Sequence, residues 1–227
     1  MNFVRSALPR FDRAFRCVFV PLLALAVLLS SCAPSERRAD LVIVNGAEPE
    51  TLDPGILTGQ PDIRVALSMF EGLARFDPFT GKGIPAIAEK WEVSPDGRVY
   101  TFHLRSNAVW STGEPITAHD FVYSWLRALD PLTASDYAGQ LFFVENAEEY
   151  NSGKLKDRTL VGVHALNDST LRVNLKSPCA FFIDLCAFQT LAVVPRKAIE
   201  GYGDRWIMKR PLPVSGAYLL EYWRIHD

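Results

Sequence analysis

Cysteine is scarce: the 227-residue chain has four, at positions 17, 32, 179 and 186. No Cys/His cluster shows metal-site spacing. The four histidines (His103, His119, His164 and His226) are scattered and read as structural or surface residues. There is no Gly-x-Ser-x-Gly elbow, no His-Glu-x-x-His, and no glycine-rich phosphate loop ending in Gly-Lys-Ser/Thr. Gly81-Lys82-Gly83 is too short for such a loop and reads as a turn. Glu148-Glu149 are neighbours on one helix and do not converge on a substrate. Nothing here supports an enzyme, a cofactor or a metal. A block of like charge is missing as well, and the formal net charge is −2. That balance argues against nucleic acid and against electrostatic membrane binding. No apolar run reaches the roughly 20 residues of a permanent membrane span.

What is present begins at the N-terminus. Arg5, Arg10, Arg13 and Arg16 precede an apolar run from Cys17 to Leu29, broken only by Pro21. The run closes on Leu29-Ser30-Ser31-Cys32. A basic segment, a short apolar core and small residues at its end read as a secretory signal peptide over residues 1–31. Leu-Ser-Ser-Cys resembles the lipobox of bacterial lipoproteins. That resemblance implies cleavage before Cys32, acylation of its thiol and anchoring to a membrane by lipid. Ordinary secretion with a chance cysteine is the alternative. Residues 32–38 then read as a polar tether, with no apolar period to pack.

The rest carries mixed signals. Leu41-Val42-Ile43-Val44 predicts a buried strand. A turn-rich aperiodic stretch follows to Pro61. Apolar spacing from Asp62 to Leu73 predicts a helix. Trp91–Val93 and Val99–Leu104, joined through Ser94-Pro95-Asp96-Gly97, predict a hairpin. Thr117 with Asp120 has the chemistry of a helix start, Phe121, Trp125 and Leu129 recur every fourth residue, and Asp130-Pro131 marks the stop. A second helix is expected from Tyr137 to about Tyr150. Val161–Ala165 and Thr170–Leu175, flanking Asn167-Asp168, predict another hairpin. The stretch between Cys179 and Cys186 predicts a helix with two buried thiols stacked on one face; a disulfide is the alternative. Val193–Pro195 reads as a short strand, Lys197–Trp206 as a short helix, and Ser215–Leu220 as the start of a strand pair. Helices and hairpins without regular alternation point to a mixed α+β, or composite α/β, fold.

One string is distinctive. Tyr100-Thr101-Phe102-His103-Leu104-Arg105 is followed by Trp110-Ser111-x-Gly113 and by Pro115-Ile116-Thr117-Ala118-x-Asp120-Phe121-Val122-Tyr123-Ser124-Trp125. It resembles the solute-binding proteins of peptide ABC importers, close to the oligopeptide-binding proteins. Leu52-Asp53-Pro54, Phe70-Glu71-Gly72-Leu73, Ala88-Glu89-Lys90-Trp91, Thr133-Ala134-Ser135-x-Tyr137-Ala138, Leu160-Val161-Gly162-Val163 and Ser215-Gly216-Ala217-Tyr218 extend the resemblance in order. It covers about the first two-fifths of a family member.

The resemblance implies a bilobal periplasmic-binding-protein-like fold with a hinge and a cleft. Residues 39–71 and 191–227 would belong to the first lobe, residues 72–190 to the extra domain of peptide binders, and the second lobe would lie outside this chain. It implies a monomeric extracytoplasmic receptor, at the periplasm or cell surface, that captures peptides and presents them to ABC permease subunits. The peptide would be held by main-chain pairing, with lobe closure burying it. By the same resemblance, Thr58, Gly59 and Gln60 fall where a strand edge pairs with the ligand, and Tyr137 falls where an extra-domain tyrosine lines the cleft. The group that holds the peptide amino terminus falls beyond Asp227. Ser215 stands where many relatives have Asn, a turn position. A surface lipoprotein of the same fold acting in sensing or adhesion, or a binder of a nickel chelate or sugar, are the competing readings.

Overall fold

A computed structural model describes residues 39–224. The signal peptide, the lipobox with Cys32 and the tether therefore lie outside the described residues, as does His226. By packing, the chain divides between Val44 and Asn45. Before that point, Leu41–Val44 is exposed coil and not the strand expected. An apolar β-run becomes a strand only where a neighbouring edge takes up its N–H and C=O groups, and the sheets contain no pairing for this one.

From Asn45 onward the framework is a four-stranded antiparallel sheet in the order β3-β4-β6-β5. Its strands are β3 (Ala88–Val93), β4 (Val99–Leu104), β5 (Val163–Asn167) and β6 (Thr170–Asn174). Both expected hairpins form. In the first turn Gly97 takes φ +69° and Ser94 Oγ hydrogen-bonds to Asp96 Oδ1. In the second, Asn167 Oδ1 accepts the Ser169 N–H at 2.9 Å. A smaller hairpin of β1 (Ala74–Phe76) and β2 (Gly83–Pro85), not foreseen from the sequence, precedes them.

Alternation along β4 sends Tyr100, Phe102 and Leu104 to one face, where all are buried. Helix α2 (Ala118–Leu129) crosses β5 and β6. It starts as its sequence dictates: Asp120 Oδ2 accepts the Thr117 N–H at 2.8 Å. Its Phe121, Trp125 and Leu129 are at most 1% exposed, each contributing roughly 1.5–3 kcal/mol of apolar burial. Trp125 and Phe182 meet edge to face, with ring centroids 6.4 Å apart. Phe182 also packs on Tyr100 at 4.9 Å, closing an aromatic core.

A second apolar cluster is built from distant segments: Leu52, Met69 and Phe70 with Trp206, Leu212 and Val214. Phe70 meets Trp206 edge to face at 5.7 Å. Helix α1 (Gln60–Met69) supplies one wall. It is shorter than the expected 62–73 at its C-terminal end, because Phe70 turns to extended geometry and the chain peels away. There the Glu71 carbonyl accepts the Val193 N–H at 3.0 Å.

Other expectations are corrected by tertiary partners. The helix expected over 137–150 breaks into a 3-10 turn at Ala138–Leu141 and α3 (Ala147–Asn151). Between them Val144 bridges to Leu175, and Asn146 adopts φ +61°. The cysteine helix contracts to α4 (Phe182–Leu185), because the Cys179 carbonyl is taken by the Tyr100 hydroxyl at 2.9 Å. Both thiols are buried and free, but they do not share one helix. Val193–Pro195 is no strand; the Val194 N–H donates to Ser124 Oγ at 2.9 Å instead of to a ladder. The helix expected at 197–206 is α5 (Arg196–Tyr202) followed by a 3-10 turn at Gly203–Met208. Ser215–Leu220 also forms no strand. Its Ser215, Gly216 and Tyr218 N–H groups donate to the Met69 and Ser68 carbonyls, at the end of a helix that offers no strand edge.

The two cores are tied by one ionic junction. Asp53 is 3% exposed. Its Oδ1 accepts from Arg127 Nη1 at 3.0 Å and its Oδ2 from Arg127 Nη2 at 2.7 Å. Trp206 Nε1 donates to the same Oδ2 at 3.0 Å, and the Gly55 N–H to Oδ1 at 2.9 Å. Asp53→Ala leaves the Arg127 guanidinium, 16% exposed at its side chain, without a counter-charge, and the buried indole N–H without an acceptor. It is expected to cost about 3–5 kcal/mol in urea unfolding. Lys176→Ala removes an exposed pair with Glu148 and should shift stability by no more than about 1 kcal/mol.

Candidate functional site

The Asp53 junction also positions the first group of expected ligand contacts. Asp53-Pro54-Gly55 turns the chain, with the Ile56 and Leu57 N–H groups both donating to the Asp53 carbonyl at 3.1 Å. Leu57 is pulled into the interior at 1% exposure, and Thr58 is thereby turned outward. Gly59 is extended, with φ −77° and ψ 145°, and is the N-cap of α1. Its N–H donates to Asp62 Oδ2 at 3.3 Å, and its carbonyl accepts from the Ile63 N–H at 3.0 Å. The Gly59 main chain is therefore committed to the helix start.

Its neighbours are not. Thr58 makes no main-chain hydrogen bond to another described residue. Gln60 is the first residue of α1, a position whose N–H has no partner within a helix. Both side chains are exposed. The segment thus offers the main chain of Thr58 and the N–H of Gln60, two residues apart, as one extended edge. This is the spacing at which a strand partner makes successive bonds. Asp62 holds the edge in place: its Oδ1 also accepts the Glu50 N–H at 3.0 Å.

Tyr137 lies elsewhere in the chain, at the entry to the 138–141 turn, and is half-buried. Its ring meets that of Phe188 edge to face, with centroids 5.2 Å apart. Phe188 is the N-cap of a 3-10 turn, Gln189–Leu191. That turn is fixed from beneath, because Trp125 Nε1 donates to the Leu191 carbonyl at 3.0 Å. Helix α1 packs against the same turn from another side. No hydrogen bond joins Tyr137 to residues 58–60 among the described residues; the two groups are related through the 188–191 turn. Sequence reasoning missed Phe188, because nothing local marks a phenylalanine whose partner is far away along the chain.

Two open clefts lie apart from these residues. One, of about 520 Å³, runs beside α2 and is lined by Val122, Tyr123, Leu126, Tyr150, Arg158 and Val163, among others. The second, of about 570 Å³, lies between the end of α1 and residues 216–218 and contains Glu71, Arg75 and Tyr218. Burial pushes the Glu71 carboxyl above its ordinary range, partly offset by the Arg75 and Arg105 charges. None of Thr58, Gly59, Gln60 or Tyr137 lines either cleft. His103 faces Glu92 at 3.3 Å and His119 faces Asp168 at 3.4 Å, both on the surface. Among the described residues no three His, Cys, Asp or Glu side chains converge as metal ligands.

The same arrangement occurs in known proteins. Residues 82–226 match the family described as bacterial extracellular solute-binding proteins, family 5 Middle. The periplasmic oligopeptide-binding protein OppA of Salmonella typhimurium is 43% identical over 192 residues, covering 84% of this chain and 35% of that protein. The probable deoxycholate-binding periplasmic protein YgiS of Escherichia coli is 40% identical over 185 residues, 81% of this chain and 34% of the relative. The crystal structure of Haemophilus influenzae OppA in complex with RPPGFSPFR superposes with a TM-score of 0.76 at 42% identity, over 81% of this chain and 36% of that one. The chain spans about a third of the length of these relatives. It belongs to the bacterial extracellular solute-binding proteins of family 5.

Proposed function

We propose that this chain is part of an extracytoplasmic receptor that captures oligopeptides and delivers them to an ABC importer. The observation that carries the reading is the 42% identity, at a TM-score of 0.76, to a peptide-bound oligopeptide-binding protein. The main-chain edge at Thr58 and Gln60 supports it, because backbone pairing holds a peptide whatever its side chains. In this reading residues 39–71 and 191–227 are parts of the first lobe and residues 72–190 are the extra domain. The two apolar clusters support that division, since one is drawn almost wholly from residues 73–193 and the other from the flanking segments. Ligand capture is completed by a second lobe, and Cys32 anchors the receptor by lipid. The alternative is a non-peptide solute. It is favoured by the 40% identity to a relative named as a probable deoxycholate-binding protein.

The protein produced from its complete gene should gain several degrees in Tm with di- to pentapeptides at saturating concentration, as mass action requires. No shift across a broad peptide library, with a shift for deoxycholate, would favour the alternative. Gln60→Pro tests the edge. Proline is tolerated at the first helical position, and the extended Gly59 before it has the geometry proline demands. The variant should keep its Tm and lose roughly 2- to 10-fold in affinity for every peptide alike, the value of one hydrogen bond. Unchanged affinity would remove Gln60 from the site. Cys32→Ser should move the protein from the membrane fraction to the soluble extracytoplasmic fraction; retention on the membrane would refute the anchor.

A further inference from the structure

The described residues contain three buried side-chain atoms that hydrogen-bond to nothing: Ser135 Oγ, Gln189 Nε2 and Thr190 Oγ1. Native folds leave few such atoms unpaired. All three flank a single feature. Gln189 and Thr190 directly follow Phe188, and Ser135 stands two residues before Tyr137. Gln189 and Thr190 are 4% and 2% exposed, so their partners have to be brought in from outside the described residues. The two rings between them are each half-buried and meet edge to face. The scaffold beneath is rigid, because Trp125 fixes the Leu191 carbonyl and the 138–141 turn packs on the 189–191 turn. A paired, half-exposed aromatic surface on a fixed turn, ringed by unsatisfied polar atoms, has the composition of a binding subsite.

We infer that Phe188 and Tyr137 together form the wall of a side-chain subsite that favours aromatic and aliphatic residues of the bound peptide over acidic ones. The inference rests on the peptide-receptor reading given above. Its physical basis is the ring pair. The rings supply apolar area and an electron-rich face, and no ion pair among the described residues involves Ser135, Tyr137, Phe188, Gln189 or Thr190. A carboxylate entering here loses hydration and gains no counter-charge. A phenyl or isobutyl group gains contact. Phe188 acts as a specificity residue: it sets which side chain is preferred, while main-chain pairing elsewhere sets that a peptide binds.

The test is calorimetric titration of the protein from its complete gene with trialanine, and with trialanine carrying one Phe or one Asp at each position in turn. At one position the wild type should prefer Phe to Asp on the order of tenfold or more. Phe188→Ala and Phe188→Leu should both reduce that ratio toward one, while affinity for trialanine changes less than the ratio does. Phe188→Leu keeps apolar bulk and protects against simple loss of folding, and a ratio between two peptides is insensitive to the folded fraction. Tyr137→Ala should lower the same ratio at the same position. An unchanged ratio in all three variants, with peptides still bound, overturns the subsite and leaves the receptor reading intact. Absence of peptide binding in the wild type overturns both.

Discussion

A carboxylate buried at the junction of two apolar cores is costly unless every lone pair is used. Asp53 meets that condition. Its two oxygens accept a bidentate Arg127, the Trp206 indole and the Gly55 main chain. Four points of the chain are thereby pinned to one another: the 53–57 turn, the end of α2, the 203–208 turn and, through Phe70 packed on Trp206, the end of α1. The pair need not add net stability relative to an apolar substitute, because desolvation offsets most of its Coulomb energy. What it supplies is register. Only one placement of the 53–60 segment satisfies the arginine and the indole together, and that placement exposes Thr58 and Gln60 as an open edge.

The second dependence is on the 188–191 turn. Trp125 holds its carbonyl from below, α1 leans on it, and Phe188 carries Tyr137. The residues of α2 that were legible as core are therefore also the ones that place the candidate contacts. Ser124 belongs to the same arrangement, since its hydroxyl takes the Val194 N–H just beyond the turn. A receptor that grips main chain loosely in sequence terms still needs a fixed frame, and here it is supplied by side chains that never meet the ligand themselves.

Legibility varied by element in a consistent way. The β3–β4 and β5–β6 hairpins and α2 were readable because their turns, caps and apolar periods are local: Gly97 at φ +69°, Asp120 on Thr117, and Phe121, Trp125 and Leu129 on one face. The segments misread were those whose hydrogen bonds go to distant partners. Residues 137–150 break because Val144 pairs with Leu175. Val193 and Val194 donate to Glu71 and Ser124, and Ser215–Tyr218 donate to the end of α1. Leu41–Val44 carries β propensity without an edge to join. The Thr58–Gln60 segment was placed from resemblance alone, and the commitment of Gly59 to a helix cap was not visible, because it depends on Asp62 turning back on it.

By itself, then, the sequence determined the local vocabulary and the family likeness: two hairpins, a capped amphipathic helix, and motifs in a recognisable order. Those properties depend on residues within about a dozen positions of each other, where propensity and turn chemistry act directly. Tertiary structure alone decided that Asp53 is an ionic anchor and not merely part of a turn. It alone decided that Phe188 faces Tyr137 across 51 intervening positions, and that three buried polar atoms around them stay unpaired. The reason is physical. Burial, counter-charge and ring contact are properties of what folding brings together, and no spacing along a chain encodes which partner will arrive.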